Sequence, residues 1–103
     1  MRESAYQRRL VRRLESLFPG CTIIKNDPRF IQGVPDLLIL FENKWAMLEV
    51  KLSDDGNRQP NQEYYVDKFN GMSFASFICP ENEERVLSDL QQAFGFVREA
   101  RIP

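Results

Sequence analysis

The chain has 103 residues, 43% hydrophobic and 28% charged, which is the composition of a folded protein with room for one small core rather than of a disordered segment. It contains no histidine, so Ser-His-Asp and Cys-His nucleophile pairs and histidine-bound metal cages are excluded, and Cys21 and Cys79 lack the companions that a zinc site needs. Fourteen basic against fifteen acidic residues give a formal charge of −1, with no global basic footprint, and no apolar run approaches the length of a membrane span. The charged start Met1-Arg2-Glu3 does not read as a signal peptide, and a soluble, cytoplasmic protein with no membrane partner and free thiols is expected. A core this small makes dimerisation an attractive way to bury more apolar surface.

Tyr6, Leu10, Leu14 and Leu17 recur at helical spacing, which predicts a first helix from Ser4 to Phe18, ended by Pro19-Gly20. Glu3 and Gln7 lie along the edge of that stripe and are expected to face the sheet. Arg8, Arg9 and Arg12 contribute to a net charge of +4 over Met1 to Phe30, against −5 for the remainder. A surface that guides a phosphate backbone and a plain solvated face are both open there. Thr22 to Lys25 reads as a first strand, broken by Asn26-Asp27-Pro28.

Leu37 to Phe41 makes a second strand, which turns at Glu42-Asn43-Lys44 into a third, Trp45 to Lys51. A connection this short makes the two antiparallel neighbours. Their continuous apolar runs predict burial on both faces. The polar stretch Ser53 to Arg58 is a loop, either a connector or a segment that touches substrate. Pro60 suits the first turn of a second helix, with Tyr64, Tyr65, Phe69 and Met72 as apolar contacts and Gly71 as its cap. Phe74 to Cys79 is a fourth strand, reached through a helical crossover and therefore parallel to the third. Pro80-Glu81-Asn82 opens a last helix on which Val86, Leu87, Leu90 and Phe94 repeat at helical spacing. For Phe96 to Pro103 an extra strand and a dimer contact are both open. The result is a single α/β domain of order αβββαβα, a mixed sheet flanked by helices.

Asp36 precedes the second strand, and Glu49 and Lys51 end the third. Side chains alternate along a strand, so Glu49 and Lys51 share a face, and the antiparallel neighbour brings Asp36 beside them. Charges at the end of a core strand are costly to desolvate unless paired or metal-bound, which favours a functional site over a surface ion pair. Two carboxylates and an ammonium suit a divalent metal held through oxygen, with the lysine serving a water molecule, and hence phosphodiester hydrolysis.

Gly33-Val34-Pro35-Asp36-Leu37-Leu38-Ile39, followed by Leu48-Glu49-Val50-Lys51, resembles the G-x-P-D and E-x-K signatures of the PD-(D/E)XK nuclease superfamily. Within it the chain is similar to the small VRR-NUC-type and Holliday-junction-resolvase-like members, many of them phage-borne. The resemblance covers most of the chain and implies a restriction-endonuclease-like core. It also implies a Mg²⁺- or Mn²⁺-dependent endonuclease acting on DNA, with branched junctions as a substrate and a homodimer as the assembly. By that resemblance Asp36, Glu49 and the Val50 backbone carbonyl bind the metal, with Glu3 completing the site and Glu15 its rival on the same helix. Lys51 serves the nucleophilic water, and Gln62 supports the site or touches phosphate. Arg8, Arg9, Arg12, Arg29 and Arg58, together with Gln62, are the candidate substrate contacts. A non-catalytic DNA-binding or scaffold module and a nuclease acting on RNA are the alternatives.

Overall fold

The computed structural model describes residues 1–95, which form α1 (Glu3–Leu17), β1 (Thr22–Lys25), β2 (Leu37–Phe41), β3 (Lys44–Val50), α2 (Pro60–Met72), β4 (Phe74–Ile78) and α3 (Glu83–Ala93). The fold is α/β, and the element order is the one that periodicity and chain breakers predict. The extra strand or dimer contact left open for Phe96 to Pro103 lies outside the described residues. Among the described residues no helix is long and apolar enough to cross a membrane.

The four strands make one sheet of order β1-β2-β3-β4. β2 and β3 are antiparallel, with Leu37 opposite Leu48 and Phe41 opposite Lys44. Two residues, Glu42 and Asn43, close that hairpin, and Glu42 adopts a φ of 57°, the left-handed backbone that a tight turn between twisted strands demands. β4 returns through α2 to pair parallel with β3, Leu48 lying opposite Ser76. Its outer edge is closed by side chains: the Asn70 Oδ1 accepts from the Ala75 N–H at 3.1 Å, and the Asn82 Nδ2 donates to the Phe77 carbonyl at 3.3 Å. Blocking an edge in this way prevents another chain from pairing with it.

One face of the sheet carries the core. Leu37, Ile39 and Phe41 of β2 and Ala46, Leu48 and Val50 of β3 pack with Tyr6, Leu10 and Leu14 of α1 and Val86, Leu87 and Leu90 of α3. Phe18, just past the end of α1, is fully buried, while Leu17 is only half-buried. The Phe18 ring lies 5.4 Å from that of Phe41 and 5.2 Å from that of Phe94, centroid to centroid. A clamp joins the two helices: the buried Tyr6 hydroxyl donates to the Glu83 carboxylate at 2.7 Å, and Arg13, nearer solvent, donates to both Glu83 and the exposed Glu84. Burial and the adjacent Glu83 push the Tyr6 hydroxyl far above its usual range.

α2 covers the opposite face. Its Phe69 meets Trp45 of β3 edge-on at 6.1 Å, and Val66 is buried. This helix is not wide enough to shield β2, so the expectation of strands buried on both faces fails there: Leu40 is 38% exposed, and burial along β2 alternates. Gly71 does not cap α2. The helix runs through it to Met72, Ser73 closes the end with its N–H on the Phe69 carbonyl at 2.8 Å, and Met72 and Tyr64 stay in solvent.

The loop between β1 and β2 docks on the start of α2 at Gly33, whose φ is +92°. A Cβ there would stand 2.4 Å from the Asn61 Cβ and 2.8 Å from its carbonyl carbon. Gly20, with φ +87°, has open space around it. Gly20→Ala is therefore expected to lose only the left-handed backbone penalty, about 1–2 kcal/mol. Gly33→Ala adds a collision with backbone and should lose about 3 kcal/mol or more in urea unfolding.

Candidate active site

The hairpin register determines the site. Extending the Leu37–Leu48 pairing by one residue sets Asp36 opposite Glu49, both on the α2 side of the sheet. Asp36 is fixed from two directions. The Asn26 N–H donates to its carbonyl at 2.8 Å, and its own Oδ2 accepts from the Val50 N–H, also at 2.8 Å. Because the N–H and C=O of a strand residue leave on the same edge, the Val50 carbonyl also projects toward Asp36.

Glu49 is only 4% exposed. Its Oε2 accepts from the Gln62 Nε2 at 3.0 Å and lies 3.7 Å from the Lys51 Nζ. The Lys51 Nζ donates to the Gln62 Oε1 and to the Asn57 carbonyl, each at 2.9 Å. The polar loop before α2 is thereby attached to the site rather than merely spanning it. Gln62 has a further duty: its Oε1 accepts from the Gln59 N–H at 3.0 Å, closing the first turn of α2. Asp36, Glu49, Lys51 and Gln62, chosen from the sequence, thus form one connected group. The Asn57 carbonyl, Asn26 and the Gln59 N–H belong to it as well, and sequence reasoning did not single them out. Two of the three are backbone groups and carry no side-chain signal.

The electrostatics are those of a place short of positive charge. Burial pushes the Glu49 carboxyl up to about 7, the neighbouring Asp36 adds to the rise, and Lys51 opposes it. Burial raises Asp36 too, against the Val50 N–H, Lys25 and Lys51. Two desolvated carboxylates side by side with a backbone carbonyl are a donor set that fits a hard divalent cation with oxygen ligands.

Glu3 is exposed at the first residue of α1, and the expectation that it faces the sheet fails because only Gln7, one turn on, is buried. The charge of Glu3 still adds to the rise at Glu49. Glu15 lies roughly 18 Å further along the helix, at 1.5 Å per residue, so Glu3 is the α1 acid on the side of the site. Among the described residues no three His, Cys, Asp or Glu side chains gather at metal-holding spacing. The pair Asp36–Glu49 is therefore the carboxylate centre, with Glu3 acting on it through its field.

The five arginines are not gathered around the pair. Arg8 and Arg12 border a shallow cavity of about 260 Å³ on α1, and the Arg9 guanidinium lies over the Tyr6 ring at 5.4 Å. Arg29 closes a two-pronged ion pair on Asp27, at 3.0 and 2.9 Å. Arg58 stacks on the Phe77 ring at 4.0 Å, beside a groove of about 480 Å³ along the outer edge of β4. A cavity of about 390 Å³, lined by Gly33, Gln59, Pro60 and Asn61 among others, opens against Gln62 itself.

The raised carboxyls couple stability to pH. A folded-state value above the ordinary 4.5 means that the Glu49 contribution is complete below pH 4.5 and is lost as pH rises through about 7. In EDTA, unfolding free energy is therefore expected to fall between about pH 4.5 and about pH 7, by on the order of 2–3 kcal/mol. Urea titrations should show the fall in the wild type and a flatter profile in Glu49→Gln; equal slopes would refute the coupling. No family model matches this chain, and neither a curated protein nor a solved structure matches it.

Proposed function

We propose that the protein is a Mg²⁺- or Mn²⁺-dependent endonuclease of the PD-(D/E)XK type that hydrolyses phosphodiester bonds in DNA. The observation that carries this reading is the convergence of Asp36, Glu49, Lys51 and Gln62 at the ends of two paired strands, with both carboxyls raised by burial. A module that only bound nucleic acid would gain nothing from two desolvated acids held side by side. This weighs against the scaffold reading.

Asp36, Glu49 and the Val50 carbonyl are the groups that would hold the cation. When bound, it supplies positive charge to phosphoryl oxygens and makes water a better nucleophile. Lys51 has three N–H donors and is fixed by Asn57 and Gln62, so it orients the attacking water and offsets charge on the phosphoryl group. Gln62 holds Glu49 and Lys51 at once and fixes the spacing between acid and ammonium. Direct in-line displacement by water requires no covalent intermediate, in keeping with a chain that has no histidine to activate a side-chain nucleophile. Arg8 and Arg12, on the basic α1 surface, would steer the phosphate backbone. Two copies related by a twofold axis would present two sites to one branched junction, each cutting one strand.

Cleavage of labelled linear, nicked, flapped, single-stranded and four-way-junction DNA, and of RNA, with Mg²⁺, Mn²⁺ or EDTA, tests the reading. Asp36→Ala and Glu49→Ala are expected to abolish cutting and to remove the rise in melting temperature that the metal gives the wild type. Lys51→Ala should keep that rise and lose about 100-fold or more in turnover, the scale of one electrostatic group in a reaction centre. Full activity in any of the three would sink the assignment.

A further inference from the structure

Six residues before Asp36, the Phe30 ring stands 88% exposed, the most exposed of the large hydrophobic side chains among the described residues. A single exposed apolar side chain is ordinary on a protein surface, so exposure alone decides nothing. Its mounting is more telling. The stem of its loop is tied at the site, by the Asn26 N–H on the Asp36 carbonyl at 2.8 Å and the Asn26 Nδ2 on the Pro35 carbonyl at 2.9 Å. The tip is braced by the Phe30 N–H on the Asp27 carbonyl at 3.2 Å, and by Arg29, whose backbone N–H and guanidinium both donate to the Asp27 carboxylate. Pro28 stiffens the same turn. An aromatic side chain on a braced backbone has only two side-chain torsions left to fix on binding.

We propose that Phe30 stacks on an unpaired base of the strand held at the Asp36–Glu49 site and so fixes that strand beside the reacting phosphate. The inference rests on the nuclease reading and assigns it a substrate-positioning residue. Six residues of chain reach at most about 20 Å, so the ring lies within roughly six nucleotides of the scissile phosphate at 3.4 Å per stacked nucleotide. A cavity of about 280 Å³ adjoins the ring, bordered by Asn26, Ile31 and Val34. On the other flank of the loop, the cavity lined by Pro28, Gln32 and Gly33 leads to Gln62 of the site.

The chemistry at the tip selects a base over other partners. The loop cation Arg29 is balanced by Asp27 in an exposed ion pair, and what the tip adds beside that pair is the π face of Phe30. A protein partner would call for a contiguous apolar patch of several hundred Å². Phe30 and Ile31 are flanked in sequence by the polar Arg29 and Gln32, and a second copy of the chain as the partner is an outcome of the test.

The test uses the full chain in Ca²⁺ with a flap oligonucleotide carrying 2-aminopurine at successive unpaired positions, for the wild type, Phe30→Trp, Phe30→Leu and Phe30→Ala. Wild type and Phe30→Trp should quench the fluorescence at one position. Phe30→Leu and Phe30→Ala should lose the quench and about 5- to 100-fold in flap affinity, the range for one base–aromatic stack, with melting temperatures matching the wild type. Flap affinity within twofold in Phe30→Ala, in a protein whose wild type cuts DNA, would overturn this inference alone. So would a Phe30→Ala protein that loses self-association in sedimentation while binding the flap as before. A wild type that neither cuts nor binds any DNA would overturn the nuclease reading and this inference with it.

Discussion

The antiparallel register of β2 and β3 is the constraint on which the rest of the site depends. Strand side chains have a period of two, so a slip of β2 by one residue would send Asp36 to the α1 face and turn Leu37, Ile39 and Phe41 out of the core. Leu37, Ile39 and Phe41 of β2, on the same face as Ala46, Leu48 and Val50 of β3, hold the register by burial. The two-residue turn at Glu42-Asn43 holds it by length. Opposition of two acids at the far end of the hairpin is then unavoidable, and the Val50 N–H on Asp36 is its local signature.

A core of this size must also stabilise an arrangement that is unfavourable by itself. Two buried carboxyls repel each other, and Lys51 offsets only part of that. The compensation lies on the other face of the sheet. There the aromatic cluster of Phe18, Phe41 and Phe94 and the Tyr6–Glu83–Arg13 clamp bind α1 and α3 to the strands. The division is by layer: stability is concentrated between the sheet and α1/α3, and chemistry between the sheet and α2.

Most of this architecture was legible in the sequence because it depends on short-range rules. The three-residue gap between apolar runs made β2 and β3 a hairpin, and the helical crossover made β4 parallel. The period-two alternation carried Asp36, Glu49 and Lys51 to one side. The failures came where a partner distant in sequence decides. Leu40 is exposed because α2 happens not to reach over β2, and Phe18 is buried because Phe41 and Phe94 are waiting for it. Arg29 and Arg58, named from the sequence as candidate substrate contacts, meet Asp27 and Phe77, neighbours that spacing alone does not reveal. Gly71 looked like a helix stop, yet α2 continues through it and its φ is not left-handed. Glu3 sits at the right helix end for an acid near the site, but spacing along α1 could not show that its side chain stays in solvent.

Gln62 belongs to two structures at once. Its amide oxygen closes the first turn of α2 and holds Lys51, while its amide nitrogen holds Glu49. Helix termini fray with free energies far below that of global unfolding. Each fraying event at Gln59–Gln62 therefore removes the Gln62 hold on the acid and on the ammonium together, leaving Lys51 with Asn57 and Glu49 while the core stays folded. The lifetime of the assembled site is then the lifetime of a single helical turn, and whatever clamps that turn from outside, a bound strand included, also lengthens the time the site spends assembled.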